Sequence, residues 1–166
     1  TPTLVVADAL AEIADTMTPT MTGRHRSTFA ATLLMADPYF YGAQVTTNMN
    51  VGGPYSVVNP GHDAASFAHL EIDFVGPLTN PRLNNVTPDP DVWVQFNGSI
   101  GTGYTVRLYV TDFRAVLTAN GAQHVQHITH SGTRSWMALL PGNNNFYLTA
   151  SGGSGHAQLR FRPPYV

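Results

Sequence analysis

The feature that most constrains this chain is a two-residue period of apolar side chains, which returns in short segments along most of its length. Six segments share it: HLEIDFVG (69–76), DVWVQFNG (91–98), YTVRLYVT (104–111), RAVLTANG (114–121), NNFYLTA (144–150) and HAQLRFRP (156–163). Successive side chains of a β-strand point to opposite faces, so this period predicts strands with one buried side. Gly, Asn and Pro between the segments predict turns. Short strands at this spacing are typical of an antiparallel β-sandwich.

Composition narrows the functional classes. The chain has 166 residues, 43% of them hydrophobic and only 11% charged, with a formal net charge of -2. A nearly neutral chain without blocks of like charge does not attract nucleic acid or an anionic membrane, so neither partner is predicted. There is no cysteine, which excludes disulfides and thiolate metal sites. No apolar run is long enough to suggest membrane insertion.

The first 43 residues differ from the rest. Apolar residues at a helical period predict one short helix over about residues 4–17, and STFAATLLMAD predicts a strand over about 27–36. One helix and one strand cannot bury a core alone. We therefore expect 1–43 to be the C-terminal end of a preceding β-domain that is mostly absent, and 44–166 to be the sandwich.

Three of the seven histidines stand in HVQHITH, at positions 124, 127 and 130. In a strand this spacing sends His127 to the face opposite His124 and His130, and it separates the outer two by about 20 Å. Three imidazoles then do not converge on a metal, and only a curled loop would bring them together. We expect a structural or surface role and no metal site.

Glu71 and Asp73 are two residues apart in a predicted strand, so their carboxylates share a face. Paired carboxylates perform glycoside hydrolysis, and Glu-Ile-Asp partly resembles the core motif of jelly-roll glucanases. Those enzymes have a further acidic residue shortly afterwards, where this chain has Val75 and Gly76. We found neither a nucleophile elbow nor a phosphate-binding loop, since GSIGTG (98–103) leads into a strand. The sequence therefore predicts no enzyme, no catalytic residue and no cofactor.

Five large side chains are expected on the outward faces of the strands: Trp93, Arg107, Tyr109, Tyr147 and Arg160. Aromatic residues and arginine are enriched at protein interfaces, and an aromatic ring also offers a platform on which a sugar can stack. The residues alone leave three roles open, namely packing against a further layer, a protein interface and a glycan-binding surface.

Three further stretches resemble one protein family: ADPYFYG (36–42), GPLTNPRLNN (76–85) and SWMALLPGNNNFYLTASGGSGHAQLRFRPPYV (135–166). In this order they are similar to the distal tail proteins of long-tailed bacteriophages, also called minor tail proteins. The resemblance covers about residues 26–166 and implies the C-terminal part of such a protein. It implies an all-β fold in which a galectin-like sandwich follows a ring-forming β-domain.

The resemblance also implies a function. The chain is expected to be a structural virion protein, a distal tail hub subunit that links the tail tube to the tail tip or baseplate. Its implied partners are further copies of itself in a ring of six, and the tube and tip proteins. It would be made in the host cytoplasm and reside at the tail tip. The alternative is a carbohydrate-binding module for host cell-surface glycans, although the sugar-binding signature of galectins is not recognisable here.

Overall fold

The structure of the chain is a computed structural model that describes residues 11–13, 20–21, 27–28, 33–35, 40–62, 69–88, 90–110, 112–131 and 136–165. The chain divides into two units, of which the first is Thr1–Phe40 and the second is Tyr41–Tyr165. Side-chain burial is described from residue 40 onward.

The described residues of the first unit form short antiparallel strands: β1 (Ala11–Ile13), β2 (Thr20–Met21), β3 (Ser27–Thr28) and β4 (Leu33–Met35). β1 pairs with β4, and β2 pairs with β3. This unit therefore contains two separate two-stranded pairings.

Both expectations for this region need correction. The helix expected over about residues 4–17 is wrong for Ala11–Ile13, which form β1, while most of that range lies outside the described residues. Pairing with the apolar segment Leu33–Met35 outweighs the helical spacing, because tertiary contacts override weak local propensity. The single strand over about 27–36 is also wrong, since Ser27–Thr28 and Leu33–Met35 belong to different sheets.

The described part of the chain from Phe40 onward is built from strands, and it also has a turn of 3-10 helix at Val125–His127. Its strands β5 to β19 are, in chain order, Phe40–Tyr41, Val45–Asn50, Gly52–Asn59, Glu71–Val75, Leu78–Thr79, Arg82–Asn85, Val92–Phe96, Ser99–Ile100, Thr105–Tyr109, Arg114–Leu117, Ile128–His130, Gly142–Thr149, Gly152–Gly153, His156–Phe161 and Pro164–Tyr165. The expected all-β class is confirmed.

Two five-stranded antiparallel sheets make the sandwich. Sheet I has the strand order β14-β13-β8-β18-β6, and sheet II has the order β15-β11-β10-β16-β7. The chain passes from sheet I to sheet II between β8 and β10, through β9 and the prolines Pro77 and Pro81. A proline donates no backbone hydrogen bond, so these residues favour the break that such a crossing needs.

The core lies between the inner faces of the two sheets. From sheet I it receives Ile72 and Phe74, and from sheet II it receives Val94 and Phe146, all fully buried. Alternate residues of β11 and β16 are more exposed and point outward, as the burial patterns of these strands show. Burial of these large apolar side chains, each contributing about 1.5–3 kcal/mol, holds the sheets face to face.

One end of the sandwich is closed by the loop at residues 136–141, which buried asparagines hold. Asn144 donates to the carbonyl oxygens of Leu140 and Gly142, and its side-chain oxygen accepts from the Leu140 N–H. Asn85 donates to Asn144 Oδ1 and to the carbonyl of Ala138. Because an amide side chain both donates and accepts, it satisfies loop backbone groups that would otherwise be buried without partners.

The strands β6 and β7 are edges of sheet I and sheet II, and the sequence pattern did not predict either. No charged residue occurs between positions 43 and 61, and Gly52, Gly53 and Pro54 interrupt any alternation. β6 nevertheless pairs with β18 over six residues, although more than 100 positions separate the two strands in the chain.

Candidate functional site

The five outward residues expected from the sequence do not form one surface. Arg107 and Tyr109 lie on β13, and Arg160 lies on β18, so these three belong to sheet I. Trp93 on β11 and Tyr147 on β16 belong to sheet II. The outer faces of two stacked sheets point in opposite directions. A ligand or partner therefore meets one of the two sets at a time.

The outer face of sheet I carries a closed network of ion pairs, here called the ionic cluster and formed by Glu71, Asp73, Arg107 and Arg160. Asp73 accepts hydrogen bonds from Nε and Nη2 of Arg107, at 2.8 and 3.0 Å, and from Nη2 of Arg160 at 2.8 Å. The same Nη2 of Arg160 lies 3.1 Å from Oε2 of Glu71.

Strand register explains how residues so distant in sequence meet. Arg107 stands opposite Asp73 in the pairing of β13 with β8, and Arg160 stands opposite Glu71 in the pairing of β18 with β8. Directly opposed residues of antiparallel strands have Cβ atoms about 5 Å apart, which suits an ion pair. Both carboxylates therefore face an arginine on a neighbouring strand.

Asp73 is only 4% exposed, which decides its role. Two guanidinium groups occupy its oxygens, and the hydrogen bond to Asp73 is the main cause that raises the pKa of Arg107 above its ordinary value. Arg107 consequently stays charged throughout the range in which proteins are studied. The cluster joins the three strands β13, β8 and β18, and both of its carboxylates are paired with arginines.

Tyr109 extends the polar surface of sheet I toward its edge. The guanidinium carbon of Arg114 lies 4.1 Å from the centre of the Tyr109 ring, a cation–π contact between β13 and β14. The two residues are directly opposed in the strand register. The ring is thus covered on one side by a charged group of its own sheet.

The outer face of sheet II has a different chemistry, and we call it the aromatic–amide face. Trp93 and Tyr147 stand on either side of Asn84 in one row across three strands. The Arg82 guanidinium lies 4.0 Å from the Trp93 ring centre, and its Nε donates to Asn84 Oδ1 at 2.7 Å. Tyr147 is 37% exposed. The strands of sheet II contain no carboxylate, and Arg82 is their single arginine.

The sequence-based search missed Arg82 and Asn84, although a usable signal was present. In β10, Leu83 and Asn85 are buried, while Arg82 and Asn84 are partly exposed on the outer face. The strict alternation in PRLNN would have placed the two polar residues beside Trp93 if the pairing of β10 with β11 had been known. That pairing is not readable from a single sequence.

The histidines of HVQHITH only partly come together. The 3-10 turn curls the chain, so the rings of His124 and His127 lie 5.6 Å apart and both contact Phe96. His130 is in β15 and lies 6.1 Å from the ring of Trp136 instead. Among the described residues, no group of three metal-binding side chains occurs. His124 and His127 form an aromatic cluster on Phe96.

Comparison with solved structures finds a similar fold. No protein-family model matches the chain, and no curated protein matches it in sequence. Among solved structures, the SPP1 Dit (gp 19.1) protein superimposes with a TM-score of 0.69 and 18% identity, over 95% of this chain. The fold is similar to that of Dit. Its structure is described as a paradigm of hub adsorption apparatus in phages that infect Gram-positive bacteria.

This match has a defined extent. The chain spans 59% of the length of the Dit chain that it matches. The superposition confirms an antiparallel β-sandwich fold similar to that of Dit. In the ranges that the structure describes, no helix is long and apolar enough to cross a membrane.

Proposed function

We propose that this chain is a structural component of a bacteriophage tail, a subunit of the distal hub that joins the tail tube to the tail tip or baseplate. The observation that supports the proposal most is the shared fold with Dit over almost the whole chain. The resemblance of ADPYFYG, GPLTNPRLNN and the C-terminal segment to distal tail proteins points to the same role.

The side chains on the two outer faces suit a structural role in an assembly. On sheet I the carboxylates of Glu71 and Asp73 are paired with arginines of the same sheet. On sheet II the outward groups are aromatic rings and amides, which form contacts without changing charge. A subunit of this kind contributes shape and contact area to a virion, and residues that bind a neighbour need no catalytic arrangement.

In this proposal the subunit assembles with its own copies into a ring of six at the tail tip, between the tube and tip proteins. The test is the solution mass of the intact protein by multi-angle light scattering, with negative-stain images of the same peak. We expect a closed ring with sixfold symmetry. His127→Ala, which changes an exposed side chain, serves as the control and is expected to leave assembly unchanged.

A strict monomer at every accessible concentration would contradict the ring. Labelling of intact virions with gold-tagged antibodies against the chain tests the location separately. Label at the distal end of the tail is expected, and label on the capsid or along the tube would overturn the assignment to the tip.

A second candidate function is binding of host cell-surface glycans by the aromatic–amide face. The observation in its favour is the row of Trp93, Asn84 and Tyr147, in which an exposed ring stands next to amides and Arg82. Since Arg82 already covers one face of Trp93, Tyr147 is the better stacking surface.

A glycan array distinguishes the two functions. If the chain binds glycans, the native protein gives a signal on the array, and Tyr147→Ala removes that signal. Tyr109→Ala, which changes the opposite sheet, leaves the signal in place. Absence of any signal with the native protein would reject glycan binding and leave the hub proposal unchanged.

A further inference from the structure

Two asparagines of the chain are each followed by glycine, in the pairs Asn97–Gly98 and Asn120–Gly121. The side-chain amide of asparagine can react with the backbone nitrogen of the next residue, and glycine hinders that approach least because it has no side chain. The two pairs are chemically identical in sequence. The fold therefore determines which of the two asparagines reacts.

The side chain of Asn97 is held at both ends by its neighbours. Its Nδ2 donates to the carbonyl oxygen of His127 at 3.1 Å and to Oγ1 of Thr129 at 3.2 Å. Its Oδ1 accepts from Nε2 of Gln95 at 2.7 Å. The amide of Asn97 must therefore give up these hydrogen bonds before its Cγ can turn toward Gly98.

Asn120 lies in the exposed turn after β14 and is held more loosely. Its Oδ1 accepts from the backbone N–H of Ala122 at 2.9 Å, and no other hydrogen bond reaches its side chain from the residues that the structure describes. A Cβ added at Gly121 would meet nothing within 4 Å, whereas a Cβ at Gly98 would meet the Phe96 ring at 3.1 Å. The surroundings of Asn120 thus leave room for a change of covalent structure.

The glycine nitrogens do not distinguish the two pairs. The N–H of Gly98 donates to Oδ1 of Asn80, and the N–H of Gly121 donates to the carbonyl oxygen of Leu117, each at 2.9 Å. Each nitrogen must therefore leave a hydrogen bond of the same length before it reacts. The difference between the pairs lies in the asparagine side chains.

We propose that Asn120 is a site of spontaneous deamidation and that its isoaspartyl product loosens the turn after β14. The nitrogen of Gly121 attacks Cγ of Asn120, and Nδ2 leaves as ammonia with the proton of the Gly121 nitrogen, so that a succinimide ring closes. Water then opens the ring. Cleavage at Cγ gives aspartate, and cleavage at the backbone carbonyl carbon gives isoaspartate. Water is the co-reactant, no electron is transferred, and the proposal does not depend on the hub function.

The turn at Asn120 leads into a segment that lies along β14, an edge strand of sheet I. The N–H of Leu117 donates to the carbonyl of Ala122 at 2.9 Å, and the N–H of His124 donates to the carbonyl of Ala115 at 2.8 Å. Isoaspartate adds a carbon to the main chain inside this turn, so these bonds cannot both keep their geometry. Their loss leaves part of the edge unpaired, and an unpaired edge favours pairing with another chain.

The test is to age the intact chain in mildly alkaline buffer and to follow both asparagines by peptide mass spectrometry, with fragmentation that separates aspartate from isoaspartate. We expect Asn120 to convert about tenfold faster than Asn97, because the side chain of Asn97 has two more hydrogen bonds to lose. A parallel sample in concentrated urea is the control. Unfolding removes these bonds, so the two rates should become similar there.

A double variant tests whether hydrogen bonds protect Asn97. Thr129→Val removes an acceptor with little change of shape, and Gln95→Ala removes the donor to Oδ1. Together they should raise the rate of conversion of Asn97 by about threefold or more. An unchanged rate would show that these bonds do not protect it.

Hydrogen exchange tests the effect on the turn. In the aged native protein, the backbone amides of Leu117 and His124 should exchange faster than in the fresh protein. Asn120→Ser keeps an oxygen that can accept from Ala122 and removes the reactive amide, so ageing should leave exchange unchanged in this variant.

Equal rates for the two asparagines in the folded chain, or faster conversion of Asn97, would overturn the proposal. So would the absence of conversion at Asn120 under conditions in which the urea sample reacts. Unchanged exchange at Leu117 and His124 in protein that carries isoaspartate at this position would overturn the loosening of the turn.

Discussion

The two outer faces of the sandwich both belong to five-stranded antiparallel sheets, but they differ in how many charged side chains they carry. The strands of sheet I contain five charged Asp, Glu and Arg side chains, and those of sheet II contain one. On sheet I, arginines from β13 and β18 neutralise the carboxylates of β8. On the outer face of sheet II, aromatic rings stand beside an amide and Arg82. Charged groups of sheet I therefore pair within that sheet, while on sheet II a single arginine contacts a ring and an amide and the Tyr147 ring is 37% exposed.

The largest effect is expected at the buried carboxylate of the ionic cluster. Asp73→Ala leaves Arg107 and Arg160 without their main counter-charge and should lower the free energy of unfolding by about 2–4 kcal/mol, since both arginines keep some solvent access. Urea denaturation measures this loss. Glu71→Gln is the matched control, because its side chain is 32% exposed, and it should cost less than about 1 kcal/mol. Equal losses in both variants would show that the cluster does not depend on burial.

Sheet II is expected to rely on neutral hydrogen bonds where sheet I relies on charge. Asn144→Ala removes the amide that holds Leu140 and Gly142 and should cost about 2–3 kcal/mol. Repeating the urea titration at high salt sharpens the contrast, because screening acts on charges and leaves this loss unchanged. A cost below about 0.5 kcal/mol, the scale of surface substitutions, would mean that loop 136–141 is held by other contacts.

A smaller effect is expected where the single cation of sheet II meets a ring. Trp93→Ala should destabilise the fold by about 1–2 kcal/mol through lost packing and the lost cation–π contact. A double-mutant cycle with Arg82→Ala isolates the pair, for which we expect a coupling of about 0.5–1 kcal/mol. Strictly additive losses would show that the 4.0 Å contact contributes no stability.

The smallest effect on stability is expected at the most exposed ring of the aromatic–amide face. Tyr147→Ala should change the free energy of unfolding by no more than about 0.5 kcal/mol. Circular dichroism during thermal unfolding measures this change. A loss comparable to that of Trp93→Ala would show that Tyr147 serves the fold rather than a partner.

The strands that alternation identified are those whose inner residues are strongly apolar. Ile72, Phe74, Val94 and Leu108 are buried as their spacing predicted. Tyr104 continues the alternation of Val106 and Leu108, but it is 49% exposed because it precedes the first residue of β13. Alternation therefore predicts side-chain burial well inside a strand and less well at the ends of a strand, where the neighbouring turn determines the direction of a side chain.

The local sequence pattern could not predict which side chains of different strands lie next to each other. Arg107 is 34 positions from Asp73, and Arg160 is 87 positions away, so the ionic cluster exists only through the register of three strands. The same holds for Arg82 beside Trp93. In HVQHITH the spacing predicted a structural or surface role, and the 3-10 turn that brings His124 close to His127 could be seen only in the fold.

The position of β18 has a consequence for the order of folding. This strand lies between β8 and β6, and its pairing with β6 joins residues about 110 positions apart. Such distant pairings form late, because the loop between them must first be closed at an entropic cost. Until residues 156–161 are in place, sheet I is two incomplete pieces with open edges. A nascent chain must therefore be synthesised through β18 before it can present a finished surface to any neighbour.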